Sequence, residues 1–368
     1  MVPTRQVLAV VLFLTSMVMG ATQRKTLEIG AECPDFRLPG VDGREYALKD
    51  FADARVLVVI FTCNHCPTAQ AYEKRIMQLH ADYKDRGVAL VAITPNDPLA
   101  VRLDELGYTD LSDSFEETKI RAKQRGFQFP YLYDGDTQET SARFGVLATP
   151  HVFIFDQARK LRYVGRIDNS EVKTVTSHDA RNAIEALLAG KPVPVEKTNV
   201  FGCSTKWSEK REDARRSIEK WNAEPVDLKP IDAAGVRELA RNDSKKLRLI
   251  NVWATWCGPC VNELPELVTI NRMYRGRDFE LITISMDDPQ RRDRALEMLR
   301  KLHVSSANYI YSEADKDKLV EALDRQWQGP VPHTILVAPG GKVLYRSTEQ
   351  INPLELKGII ADTLGRTY

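Results

Sequence analysis

Two stretches of this chain share one pattern of hydrophobic positions. Residues 56–67 read VLVVIFTCNHCP, and residues 249–260 read LINVWATWCGPC. Each is an apolar, β-branched or aromatic run that stops at Cys-x-x-Cys. A short run of this kind suits a strand of a parallel sheet, buried on both faces. Apolar residues then recur at helical spacing, over Thr68–Lys84 in the first stretch and Val261–Tyr274 in the second. Further along, Gly87–Asp97 and Phe279–Asp288 each read as a strand entering a loop, and Pro289–His303 reads as a helix. A second matched pair follows: PHVFIF at 150–155 and PHTILV at 332–337, each leading through a turn to another strand, from Lys160 and from Lys342. Lys160 with Lys342, and Tyr163 with Tyr345, keep the same offset as the two prolines. The chain is therefore a repeat. Strands alternating with helices in each unit predict an α/β fold of two tandem domains, each a mostly parallel central sheet flanked by helices.

A length of 368 residues fits two such units. The sequence GKPVP at 190–194 closes the first, and Phe201-Gly202-Cys203 leads on to Lys206-Trp207. A charged, helically spaced stretch, Ser208–Trp221, precedes a break at Glu224-Pro225. The expected division is a first domain over 22–207, a solvated linker helix over 208–225 and a second domain over 226–368. The N-terminus differs from both. Arg5 is followed by an uncharged apolar run from Val7 to Gly20, then by Ala21 and the polar TQRK. That order predicts a secretory signal peptide over 1–21. The run falls short of the roughly 20 apolar residues of a bilayer span, although an uncleaved anchor is the competing reading. The expected location is periplasmic or extracellular, with no membrane attachment beyond this segment.

Charge narrows the partners. Lys and Arg number 52 against 51 Asp and Glu, so there is no basic excess to favour nucleic acid. Export would place the six cysteines where disulfides form and persist. Four of them make the pairs Cys63/Cys66 and Cys257/Cys260. Thiol–disulfide exchange needs one thiolate to attack and a second thiol to resolve the mixed disulfide. Two intervening residues at a helix start hold both sulfurs close, with the first exposed at the positive end of the helix dipole. Cys63 and Cys257 are thus the expected attacking thiols, with Cys66 and Cys260 resolving. A shared zinc site is the alternative for two such pairs, but each pair follows its own buried strand in a separate repeat. The reading calls for no cofactor and no metal. Its partners are protein thiols and disulfides together with an unidentified redox partner.

INVWA followed by TWCGPC resembles the thioredoxin superfamily motif. The second half, from about Val226, is similar to exported thioredoxins related to TlpA and ResA, on WATWCGPC, Glu263 and VPHTILVAPGGKVLYR. The first half, about Thr26–Trp207, resembles the peroxiredoxin-like AhpC/TSA-type thioredoxins, on FTCNHCPTAQAY, ITPND, FPYLYD, ATPHVFIFD, YVGRID and GCSTKW. The resemblance implies that Pro150 and Pro332 are cis-prolines facing the Cys pairs and presenting backbone to an extended peptide, and that Trp256 belongs to the motif beside Cys257. Thioredoxins carry a buried Asp six residues before the attacking Cys, where this chain has Leu57 and Asn251. Glu263 is the substitute proton acceptor that the ResA likeness implies; a surface carboxylate is the equal alternative. His65 is positioned to stabilise a Cys63 thiolate and so to make the first pair the more oxidising. Electrons would then run from Cys257/Cys260 to Cys63/Cys66.

Two other chemistries compete. A thiol peroxidase needs Pro-x-x-x-Thr/Ser-x-x-Cys, yet Ile60 stands three residues before Cys63, and Thr62 directly beside it is misplaced. A copper or zinc carrier would draw on Cys63, His65, Cys66 and His151, with His333 as the equivalent of His151; the competing reading starts a strand with each of these two histidines. Cys33 and Cys203, at the two ends of the first domain, are a candidate structural disulfide closing a long loop.

Overall fold

The computed structural model describes residues 24–368, so the signal-segment reading of 1–21 lies outside the described residues. In the first half the run before Cys63 forms β1 (Val56–Phe61). Its six residues are all buried, alternating between two cores. Val56, Val58 and Ile60 meet Tyr72, Ile76 and Leu79 of α1 (Pro67–Tyr83). Leu57, Val59 and Phe61 meet Phe36, Phe144, Phe153 and Trp207 on the other side. β1 pairs in parallel with β2 (Val88–Thr94), and β2 in parallel with β3 (Tyr131–Tyr133), after α2 (Phe115–Arg125). β4 (His151–Phe155) lies antiparallel on the other edge of β1, and β5 (Leu161–Gly165) antiparallel on β4. The sheet order is β3-β2-β1-β4-β5, with α3 (Asp179–Leu188) packed against it.

After α4 (Arg211–Asn222) the same order returns with one added edge strand. β6 (Lys229–Ile231) precedes α5 (Ala233–Arg241), β7 (Leu247–Trp253), α6 (Gly258–Tyr274) and β8 (Phe279–Ser285). Then come α7 (Arg292–Lys301), β9 (Ala307–Tyr311), α8 (Asp317–Leu323), β10 (His333–Val337), β11 (Val343–Ser347) and α9 (Pro353–Leu364). The order is β6-β9-β8-β7-β10-β11, with β7 parallel to β8 and antiparallel to β10. Both halves are thus the α/β sandwiches that the alternation predicts.

The halves meet along the loop after β2. Val101 and Leu106 enter the same apolar cluster as Leu264 and Leu267 of α6. The Tyr274 hydroxyl donates to Thr109 O at 2.7 Å, and Arg277 Nη1 donates to Gly107 O at 3.0 Å. Arg366 Nη1 meets Asp110 Oδ1 at 2.6 Å. Helix α4 buries only Ala214, and Asn222 at its end accepts from Arg272 of α6.

Candidate redox-active site

The two Cys pairs sit at equivalent strand–helix junctions but in different positions on their helices. In the first half Pro67 is the first helical residue, which suits a ring that fixes φ and lacks an N–H. The helix cap is therefore Cys66, whose sulfur accepts from Ala69 N at 3.5 Å. In the second half the cap is Cys257, whose sulfur accepts from Cys260 N at 3.2 Å. The expectation of an exposed first sulfur is corrected in both halves, since Cys63 is 3% and Cys257 6% exposed. The capping place falls to Cys66 in the first half and, as expected, to the first cysteine, Cys257, in the second.

A dense polar shell surrounds the first pair. The peptide bond Thr149–Pro150 is cis. Thr149 Oγ1 lies 3.0 Å from Cys63 Sγ, and Thr149 O lies 3.3 Å from Cys66 Sγ. His65 Nδ1 is 3.5 Å from Cys63 Sγ and 2.5 Å from Asp113 Oδ2. The other Asp113 oxygen accepts from the amides of Asn64 at 2.8 Å and His65 at 3.0 Å. Asn96 Nδ2 completes the carboxylate's shell at 2.7 Å, while Asn96 Oδ1 accepts from Lys206 N at 2.8 Å. One buried aspartate thus holds both the backbone and the ring of His65.

The electrostatics follow from this geometry. Burial opposes charge on His65, but the Asp113 carboxylate outweighs it and raises the imidazole above its ordinary value. Burial likewise opposes a Cys66 thiolate. Hydrogen bonds with Cys203 and Cys63, the His65 charge and the Ala69 amide overcome it, holding Cys66 well below the usual thiol range. Cys63 moves the opposite way, raised by burial, by its hydrogen bond to Cys66 and by Asp113. Within the pair a thiolate is thus favoured on Cys66 over Cys63.

In the second half Cys257 and Cys260 are joined by a disulfide, and Val331–Pro332 is cis. Cys257 Sγ is 3.6 Å from Val331 O. Trp256, beside it, is 64% exposed. The loop before the pair is held by Asp287, which accepts from Thr255 N at 2.9 Å and from Thr255 Oγ1 at 2.7 Å. Glu263 is buried, which removes the surface-carboxylate reading. It accepts from Asn251 Nδ2 at 2.8 Å and from Ile351 N at 3.0 Å. Burial raises its pKa, offset in part by those two bonds. A raised carboxyl subtracts stability as pH climbs from its unfolded value through its folded one. Glu263→Gln removes the buried charge and keeps both contacts when the Asn251 amide turns, the Thr334 hydroxyl then donating to Asn251 Oδ1 in place of accepting from Nδ2. The variant is expected to melt at higher temperature than the parent at pH 7.5, with the gain vanishing below about pH 4. Thermal unfolding at the two pH values reads this directly, and a gain of equal size at both contradicts it.

The remaining expected residues scatter. Cys33 and Cys203 are both free thiols, so the expected disulfide between them is corrected. Cys33 lies in the apolar cluster under Phe36 and Trp207, where burial pushes its thiol up to about 12. Cys203 packs instead against Cys63 and Cys66. His151 does not join the metal-type cluster, which among the described residues comprises Cys63, His65 and Asp113, with donor atoms within 4.8 Å of one another. His151 packs at a tilt against Phe153, and burial lowers its pKa to about 3; His333 stacks on Trp327 and is lowered to about 4 by burial. Both are neutral strand-start residues. Asp113 and Asp287 carried no sequence signal. Asn96 and Thr149 lie within the ITPND and ATPHVFIFD segments, which marked the region and not the role.

Tandem sheets of this order, each with a Cys-x-x-Cys before its first long helix and a cis-proline at the next edge strand, define a thiol–disulfide exchange scaffold. The chain matches the AhpC/TSA family over residues 29–164 and the Redoxin family over 238–360. It is 26% identical over 95 residues to the thiol-disulfide oxidoreductase ResA of Oceanobacillus iheyensis, covering 26% of this chain and 45% of that one. To ResA of Geobacillus thermodenitrificans it is 23% identical over 168 residues, covering 45% of this chain and 82% of the relative. A solved hypothetical protein of Sinorhizobium meliloti is 32% identical, covering 51% of this chain and 99% of its own, with a TM-score of 0.45. These matches support a thioredoxin-superfamily protein with ResA-like character. The chain spans less than half the length of the first of these curated relatives.

Proposed function

We propose that this chain is an exported thiol–disulfide oxidoreductase with two working centres, Cys63/Cys66 and Cys257/Cys260, on domains spanning 22–207 and 226–368. The observation that carries the reading is the repetition of one chemical unit. Each half sets a capping sulfur at a helix start, a second sulfur three residues away, and a cis-proline loop against them. A helix-capping sulfur is stabilised as thiolate, and the cis-proline loop offers backbone to an extended substrate. Exposed Trp256 gives the second centre an apolar contact for protein substrates. Pro150 and Pro332 act as positioning residues, and Glu263 as proton acceptor for Cys260. The substrates are protein disulfides, and a second thiol protein restores the reduced state.

Among the competing chemistries, the carrier reading has a donor cluster in Cys63, His65 and Asp113. There the His65 ring nitrogen nearest the sulfur already serves Asp113. Insulin reduction by the full chain, with Cys63→Ser/Cys66→Ser and Cys257→Ser/Cys260→Ser beside it, tests the proposal. Turnover is expected to fall at least about tenfold with loss of the second pair, since exchange depends on the attacking thiolate. Undiminished turnover in both variants, or zinc or copper held stoichiometrically at the first pair, overturns it.

A further inference from the structure

We propose that Cys203 is a third redox thiol of the first centre, which takes the Cys63–Cys66 disulfide over as a Cys66–Cys203 disulfide. The inference rests on the exchange chemistry proposed above and adds a residue to it. Its basis is the placement of the 202–207 segment. That segment pairs with the cis-proline loop, Cys203 opposite Thr149 and Ser204 opposite Ala148. Its other side is fixed by Lys206, whose amide donates to Asn96 Oδ1 and whose carbonyl accepts from Asp97 N. Between these two anchors Cys203 N donates to Cys66 Sγ at 3.2 Å, and Cys203 packs against the cluster of Cys63, Cys66 and Ala69.

Gly202 makes the close approach feasible. A Cβ there would stand 2.1 Å from Thr149 O, and its φ of +134° is one that side-chain-bearing residues rarely adopt. Thr149 thereby touches all three cysteines: Cys63 through its hydroxyl, Cys66 through its carbonyl, Cys203 through strand pairing.

The exchange balances without an outside oxidant. Cys203 loses its proton and its thiolate attacks the Cys66 sulfur of the Cys63–Cys66 disulfide. The Cys66–Cys203 bond forms, the Cys63–Cys66 bond breaks, and the electron pair leaves on Cys63, which takes up a proton. The count of disulfides is unchanged. The trigger lies in the charge distribution. With Cys66 reduced, its hydrogen bond and then burial hold the Cys203 thiol up. Once Cys66 is in a disulfide that hydrogen bond is gone, and the Lys206 charge favours the Cys203 thiolate. The gain is access. Cys63 and Cys66 are buried, whereas Cys203 is partly exposed, with Tyr368 of the second half beside it. An incoming thiol protein thus meets the oxidised centre at Cys203.

Peptide mapping of the full chain tests this. The protein is oxidised with diamide, alkylated and digested with trypsin without reduction. Cys63 and Cys66 share the peptide 56–74, Cys203 lies on 198–206 and Cys33 on 26–37. Wild type is expected to give an internal disulfide in 56–74 together with a 56–74/198–206 cross-link. Cys63→Ser is expected to shift nearly all Cys203 into the cross-link. Cys63→Ala repeats the readout with a side chain of no hydrogen-bonding demand, and the wild-type map stands without either variant. Cys203 recovered fully alkylated in wild type and in both variants, or linked to Cys33, overturns the proposal. The function reading fails separately: it is the internal 56–74 disulfide that is then missing, whether or not the cross-link forms in Cys63→Ser.

Discussion

Asp113→Asn is expected to destabilise the first domain by about 3–5 kcal/mol near pH 5–6, the cost of removing one partner from a buried ion pair. The side chains of His65 and Asp113 are 1% and 0% exposed, so neither charge is solvated in place of the other. Burial works against the Asp113 carboxylate, but His65 and Asn96 hold its pKa below the usual range. A depressed carboxyl contributes stability above its unfolded value, about 3.9, and loses it as pH falls through the folded value. A raised imidazole contributes below its unfolded value, about 6.5, and loses it as pH rises through the folded value. The wild-type advantage over Asp113→Asn therefore peaks between about pH 4 and 6.5 and narrows on both sides. Urea unfolding across pH 3–9 measures that shape, and two parallel stability curves would refute it. A second readout is local. With the His65 charge no longer held, the alkylation profile of Cys66 moves to higher pH.

This pair marks the limit of what the sequence discloses. The strands and helices were legible because apolar runs and helical spacing are local signals: the expected helix at Thr68–Lys84 appears as Pro67–Tyr83, and that at Val261–Tyr274 as Gly258–Tyr274. The cysteines stood out through residue type and spacing. Asp113 did not, because it reaches His65 across 48 residues from an acidic loop like any other. Cys203 departs from its expected partner for a related reason. Chain position suggested pairing across the domain ends with Cys33. Strand pairing with Thr149, which Gly202 permits, carries it to Cys66 instead. The capping residue also depends on a detail smaller than the motif. Pro67 after CNHC starts its helix one residue past the second cysteine, whereas CGPC starts its helix just after the first. Two Cys-x-x-Cys motifs that look alike in sequence thus present different sulfurs to the helix dipole.

That difference leads to the second large effect. The Cys63/Cys66 couple is expected to be the more oxidising of the two by about 60 mV or more, a hundredfold in equilibrium constant at about 30 mV per tenfold. Potential follows the stability of the reduced form. In the first centre the Cys66 thiolate gains from Cys203, Cys63, the His65 charge and the Ala69 amide. In the second, Gly258 and Pro259 supply no charge, and the Cys257 sulfur accepts the Cys260 amide. Each couple is isolated in the variant lacking the other pair and equilibrated in glutathione or dithiothreitol buffers, with the thiols read by alkylation. His65→Ala is expected to lower the first potential and leave the second unmoved. A first potential below the second reverses the proposed flow. The expected order makes Cys257/Cys260 the donor and the first centre the acceptor. The loop from Val101 to Asp110, which packs on α6, then joins the helix bearing the donor pair to the Asp113 loop that tunes the acceptor.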